Sequence, residues 1–145
     1  MIDLLLGGPG ETPETVATTI DFVKKIGPDC AGASVGIRIY PGTGMVEKVE
    51  SEGPLESNPA IRRKYAGPCD FFQPTFYIAP GLGPEPARLV KDLIAGDQRF
   101  FEPTEESPDA TATDHNYNDN TELVDAIAQG VRGAYWDILH RLRAM

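Results

Sequence analysis

The stretch Leu4-Leu5-Leu6-Gly7-Gly8-Pro9-Gly10-Glu11-Thr12-Pro13-Glu14 constrains the fold more than any other part of the chain. A short apolar run reads as a buried parallel strand. Gly-Gly-Pro-Gly ends it, and glycines there let the backbone take positive φ and let a ligand approach closely. Thr12 supplies an N-cap hydroxyl, Pro13 suits the first helical position, and Glu14 favours the positive end of the helix dipole. The order is therefore strand, tight turn, helix. Free amides at the helix start attract anions. Such a turn is either a small-molecule site at the carboxyl end of a strand or simply a well-capped connection.

The helix runs over about 13–26, with Val16, Ile20, Val23 and Ile26 near the helical period and Gly27-Pro28 as its stop. Residues 30–40 read as the next strand, with Val35, Ile37 and Ile39 on one face and Gly36, Arg38 and Tyr40 on the other. Strand, helix and strand in about 40 residues make a parallel βαβ unit. A charged residue inside an apolar strand needs a partner, so Arg38 fits a cavity better than a bare strand end.

Pro41-Gly42-Thr43-Gly44 is a second glycine turn, leading to a short helix over 44–52 with Met45, Val46 and Val49 inward. Residues 54–69 look irregular. Phe71 to Ile78 looks extended, and Pro74 makes it an edge or broken strand. A helix follows over 85–95 with Gly96 as its cap, then a polar loop over 97–120. Leu123, Ile127, Val131, Ala134, Ile138 and Leu142 form one stripe, which predicts a single helix over 121–143. The expected organisation is a segment 1–96, a linker 97–120 and a C-terminal helix in 121–145.

A chain of 145 residues with 41% hydrophobic content supports one core. Its net charge of −9 argues against a nucleic-acid partner. No apolar run approaches the roughly 20 residues of a membrane span. Residues 2–6 are too short for a signal peptide and lack a basic leader, so the expected location is the cytoplasm. Cys30 and Cys69 read as thiols rather than a disulfide or a metal site.

Other motifs are weaker. The turn is neither a Walker loop nor a dinucleotide fingerprint, because the spacings fail. Asp114, Asn116, Asn118, Asn120, Glu122 and Asp125 have calcium-loop spacing, but Asp119 replaces the turn glycine and no helix precedes them. Arg62-Arg63-Lys64 is an anion site or a solvated patch. His115 and His140 accompany no nucleophile at an informative spacing, so no catalytic residue is assigned.

The two glycine turns together, Leu-Leu-Leu-Gly-Gly-Pro-Gly-Glu-Thr and Gly-Ile-Arg-Ile-Tyr-Pro-Gly-Thr, resemble the closing strands of the radical S-adenosylmethionine barrel. Phe76 to Gly83 looks like the C-terminal region of the subgroup that also binds cobalamin. In that family a partial barrel of six parallel strands holds a 4Fe-4S cluster on a Cys-x3-Cys-x2-Cys loop. The cluster cleaves S-adenosylmethionine to a 5′-deoxyadenosyl radical. Leu6, Gly8 and Glu11 match the last three marked positions of its Gly-x-Ile-x-Gly-x-x-Glu pattern, and Leu4 replaces the first glycine.

The resemblance implies a partial S-adenosylmethionine site. Leu6 would touch the adenine, and Gly8, Gly10 and Glu11 would shape the turn around it. Ile39, Tyr40, Pro41 and Gly42 would border it, and Arg38 and Tyr40 would face the barrel interior. The cysteine motif and the first four strands are missing, as is any cobalamin domain. The chain then corresponds to a C-terminal fragment, inactive alone, whose unpaired strand edge invites a homodimer. Two other functions compete with this one: a free-standing α/β module that binds phosphate or a nucleotide at Gly8–Glu14, and a structural domain without ligand.

Overall fold

A computed structural model of the chain describes residues 1–63, 65–103 and 121–144. It is an α/β structure built on two small sheets. The first is parallel, in the order β1 (Ile2–Leu6), β2 (Ala31–Val35), β6 (Phe100–Phe101). The second is antiparallel, in the order β3 (Ile37–Arg38), β5 (Thr75–Tyr77), β4 (Ile61–Arg63).

Helix α1 (Pro13–Ile26) joins β1 to β2 and forms for the local reasons its sequence states. Thr12 and Thr15 cap each other's backbone, Pro13 opens the helix, and Gly27 closes it in the left-handed conformation. In register, Ile2, Leu4 and Leu6 lie opposite Ala31, Ala33 and Val35. Their common face packs on Val16, Ile20 and Val23 of α1 and on Val90 and Ile94 of α3 (Pro86–Ile94). Burial of these side chains is the main stabilising term. Ile26 is more than half exposed, although it falls on the apolar stripe, because the helix ends there beyond the sheet.

The opposite face of the parallel sheet carries Asp3, Leu5, Gly32 and Ser34. Near the start of β2 it is covered by a second cluster: Cys30, Phe101, Leu123, Ala126, Ile138 and Leu139. Towards the carboxyl end it is open, and Leu5 is 56% exposed. At the amino end of the parallel sheet, Asp97 and Arg99 brace the entry to β6 against the end of α1. Arg99 donates to both Asp97 oxygens, at 2.9 and 2.6 Å, and to the Lys24 carbonyl. The guanidinium holds the Asp97 carboxyl down at about 2. On α2 (Gly44–Ser51) and just beyond it, Lys48, Asn58 and the Tyr77 hydroxyl all donate to Glu52, tying α2 to β5.

Several expectations need correction. Residues 30–40 are not one strand. Gly36 takes φ +110°, its amide donates to the Leu6 carbonyl at 2.7 Å, and the chain turns out of the parallel sheet. Ile37–Arg38 then pairs antiparallel with β5. The extended run at 71–78 is not an edge strand, since β5 is central in its sheet, but it is broken at Pro74: residues 71–73 form a turn and only Thr75–Tyr77 enter the ladder. Residues 54–69 include a 3-10 turn, Leu55–Ser57, and β4. The left-handed residue after α3 is Ala95, with Gly96 also at positive φ.

The polar loop gives way at its start to β6, whose Phe100 fills the main core. The last helix is two helices, α4 (Thr121–Ala128) and α5 (Tyr135–Arg143), separated at Gly130 and Gly133, both at positive φ. The calcium-like spacing from Asp114 to Asp125 falls mostly outside the described residues, as does His115.

Among the described residues no strand pairs the outer edge of β1. Lys24 of α1 donates to Leu93 of α3 at 2.7 Å, and α3 also touches β2, so α3 sits on the β2 side of α1. Helical geometry puts Phe22 and Ile26 on the other flank, above the open edge. Both are more than half exposed.

Candidate functional site

The candidate site lies at the carboxyl ends of β1 and β2, where three loops converge. The chain leaves β1 through Gly7 at φ +96°, a conformation glycine adopts freely. A Cβ there would just touch its neighbours, 3.4 Å from the Gly36 nitrogen and 3.5 Å from Ile78 Cγ2. This close approach lets the Ala79 amide donate to the Gly7 carbonyl at 2.9 Å. The segment Ile78–Leu82 is thereby pinned across the strand ends, and a Cβ at Gly81 would lie 3.3 Å from the Glu11 carbonyl oxygen.

Glu11 organises the turn. Its Oε2 accepts from the Gly7 amide and from the Gly8 amide, the latter at 2.8 Å. The Glu11 amide in turn donates to the Gly8 carbonyl at 3.1 Å. A carboxylate already occupies the turn, and the Thr12 hydroxyl accepts from the Thr15 amide of α1 while the Thr15 hydroxyl accepts from the N-cap amide of Thr12. A phosphate brought to the Gly7 and Gly8 amides would meet a like charge.

Residues expected at the site divide into two groups. Gly8, Gly10 and Glu11 lie in the first turn, with Ile37 Cγ1 about 4.0 Å from the position of a Gly8 Cβ. Gly10 and Gly42 are both at positive φ, and nothing lies within 4 Å of where a Cβ would stand on either. Leu6 is 2% exposed and packs in the helix-side core, so its side chain supports the turn from below. Ile39 is fully buried in the same core, and its amide donates to the Thr75 carbonyl at 2.9 Å. Tyr40, Pro41 and Gly42 form the exposed second turn, held by the Thr43 hydroxyl, which donates to the Tyr40 carbonyl at 2.7 Å.

Arg38 belongs to the second group. Its guanidinium lies 5.3 Å from the Tyr40 ring centroid and 5.6 Å from that of Phe76. Two aromatic rings thus border the charge, while its Nη1 has no hydrogen-bond partner. The basic run nearby is engaged: Arg62 donates to the Pro59 and Ile61 carbonyls and Arg63 to that of Gly67. Sequence reasoning missed Glu11 as a cap of its own loop, although the spacing from Gly7 and Gly8 to Glu11 suits a side chain folding back.

The two cysteines do not fit an iron–sulfur cluster. Cys30 is buried under α4 and α5, and burial pushes its thiol up. Cys69 lies in a different loop, beside the Tyr65 hydroxyl. Two separated thiols cannot supply three thiolates.

No family model and no curated protein matches the sequence. Among solved structures, the chain is similar to radical S-adenosylmethionine methyltransferases. One is TsrM from Kitasatospora setae with cobalamin and a 4Fe-4S cluster bound. It is 27% identical, and the match covers 96% of this chain and 31% of that one, with a TM-score of 0.60. The other is TsrM from the same organism with tryptophan substrate and the S-adenosylmethionine analogue aza-SAM bound. Here identity is 27%, coverage 98% and 33%, and the TM-score 0.67. The chain spans about a third of the length of these proteins. Among the described residues no helix is long and apolar enough to cross a membrane.

Proposed function

We propose that this chain is the C-terminal third of a radical S-adenosylmethionine enzyme of the cobalamin-binding subgroup. β1 and β2 would be the last two strands of its partial barrel. The observation that carries the proposal is the likeness to TsrM over 98% of this chain and only 33% of that one. The open edge of β1, with Phe22 and Ile26 above it, supports it physically. A parallel strand and its helix would complete both the ladder and the apolar flank. A second copy pairing at the same edge, giving a homodimer, is the substitute when that unit is absent.

In this proposal the chain binds and orients, and does no radical chemistry. The backbone of Gly8–Glu11 and of Ile39–Gly42 borders the adenosyl group of S-adenosylmethionine. Glu11 keeps the first turn rigid by consuming its amides. Leu6 acts from the core behind it. The cluster and cobalamin belong to the remainder of the domain, since the thiols here do not fit a cluster. Such an enzyme would work in the cytoplasm, where thiols such as Cys30 stay reduced.

Calorimetric titration of the chain with S-adenosylhomocysteine, and separately with inorganic phosphate, tests this. S-adenosylhomocysteine is expected to bind with a Kd near 1 mM, about 4 kcal/mol, as suits part of a site. Phosphate should give no heat. Silence with S-adenosylhomocysteine up to roughly 10 mM, well above that Kd, removes the proposal. Phosphate binding alone would favour the free-standing module.

A further inference from the structure

We infer that Arg38 is an anchor for the carboxylate of an aromatic ligand, in a site distinct from the Gly8–Glu11 turn. The starting point is an imbalance of charge. The chain carries 22 acidic residues against 13 basic ones. Yet among the described residues no carboxylate pairs with Arg38. Its one hydrogen bond runs from Nη2 to the Phe72 carbonyl, at a long 3.4 Å. Nη1 is buried and has no hydrogen-bond partner. A buried guanidinium nitrogen left in this way is costly, and an anion is the group that relieves it.

The surroundings say what kind of anion. Tyr40 and Phe76 sandwich the guanidinium. Tyr40 is 58% exposed and Phe72 84% exposed. The Tyr40 ring borders the charge from the solvent side, and the Phe72 ring stands in solvent on the residue whose carbonyl meets Nη2. Arg62 lies in register with Phe76, which itself faces Arg38 across the ladder, so a second cation shares that face. A planar guanidinium meets a carboxylate through two parallel hydrogen bonds. Exposed Tyr40 has only to swing aside to open Nη1. A flat ring bearing a carboxylate then satisfies the charge and takes the place of the Tyr40 ring beside the guanidinium.

The alternating directions of neighbouring strand residues separate this site from the first turn. Ile37 lies by Gly8, and Arg38 projects to the other face. The inference therefore does not depend on the chain binding S-adenosylmethionine.

The test uses the full chain, with benzoate as probe, benzamide as its neutral analogue and inorganic phosphate as an anion without a ring. Binding is followed by the ring resonances of Tyr40 and Phe76. Benzoate is expected to shift both saturably, with benzamide and phosphate at least roughly tenfold weaker. Arg38→Gln should abolish the benzoate response. Arg38→Lys, which keeps the charge and loses the fork, should weaken it several-fold. Without ligand, Arg38→Gln should unfold at the same temperature as the parent chain or higher, because an uncompensated charge has been removed. Equal binding of benzoate and benzamide overturns the inference. So does an Arg38→Gln variant that melts lower while binding benzoate as before, since Arg38 would then be a structural clamp.

Discussion

Gly7→Val is expected to lower the unfolding free energy by about 3 kcal/mol, measured by urea denaturation. Two costs combine. A β-branched residue at φ +96° is strained, at roughly 1–3 kcal/mol. The Cβ would already be in contact with the Gly36 nitrogen and Ile78 Cγ2, so the two valine methyls beyond it have to displace neighbours, where overpacking costs about 1–3 kcal/mol. Gly10 is the internal control. It too has positive φ, +82°, but open space around it, so Gly10→Ala should cost only about 1 kcal/mol. A Gly7→Val variant as stable as the parent would mean that the Ile78–Leu82 segment does not cross the strand ends as described.

Glu11→Ala carries the second large effect, a loss of about 2–3 kcal/mol. One carboxylate oxygen accepts from two adjacent amides, those of Gly7 and Gly8. Removing it leaves both donors short of a partner in a half-buried turn, and hydrogen bonds to a charged group are the stronger kind. Glu11→Gln keeps an acceptor oxygen without the charge and should lose about half as much, roughly 1–1.5 kcal/mol. Thermal unfolding of the three proteins side by side checks the order. Equal stability of parent and Glu11→Ala would mean that water or another group satisfies the amides and that Glu11 does not shape the turn.

These variants act on the part of the fold that was most legible in the sequence. Thr12, Pro13 and Gly27 state the limits of α1 through local chemistry, and the apolar run before Gly7 states β1. The parallel pairing of β1 with β2 follows from the short helical crossover. Signals failed where a single residue overrode a period. Val35, Ile37 and Ile39 alternate straight through Gly36, so the period hides the change of sheet that the glycine's positive φ creates. The stripe from Leu123 to Leu142 likewise steps across Gly130 and Gly133 without a phase change, though Ile127 on it is exposed. β6 has two residues, too few for any period.

The candidate site was legible as a place more than as a set of contacts. Gly8, Gly10 and Glu11 were singled out correctly as one turn. What Glu11 does there depends on a side chain folding back three and four residues, which no periodicity records. Leu6 follows the apolar run into the core and does not reach outward. Arg38 was rightly read as a charge in need of a partner, but its stacking on Phe76 comes from a strand 38 residues further on, in a sheet that the sequence did not announce.

The central claim is that the two glycine turns together border an adenosyl group. Amide chemical shifts of the isotope-labelled chain, followed during titration with S-adenosylhomocysteine, test it most directly. The account predicts that Gly8, Gly10, Glu11, Ile39, Tyr40 and Gly42 shift together with one saturation curve, while α4 and α5 stay unmoved. Shifts confined to other elements, or two turns that respond with different affinities, would contradict it.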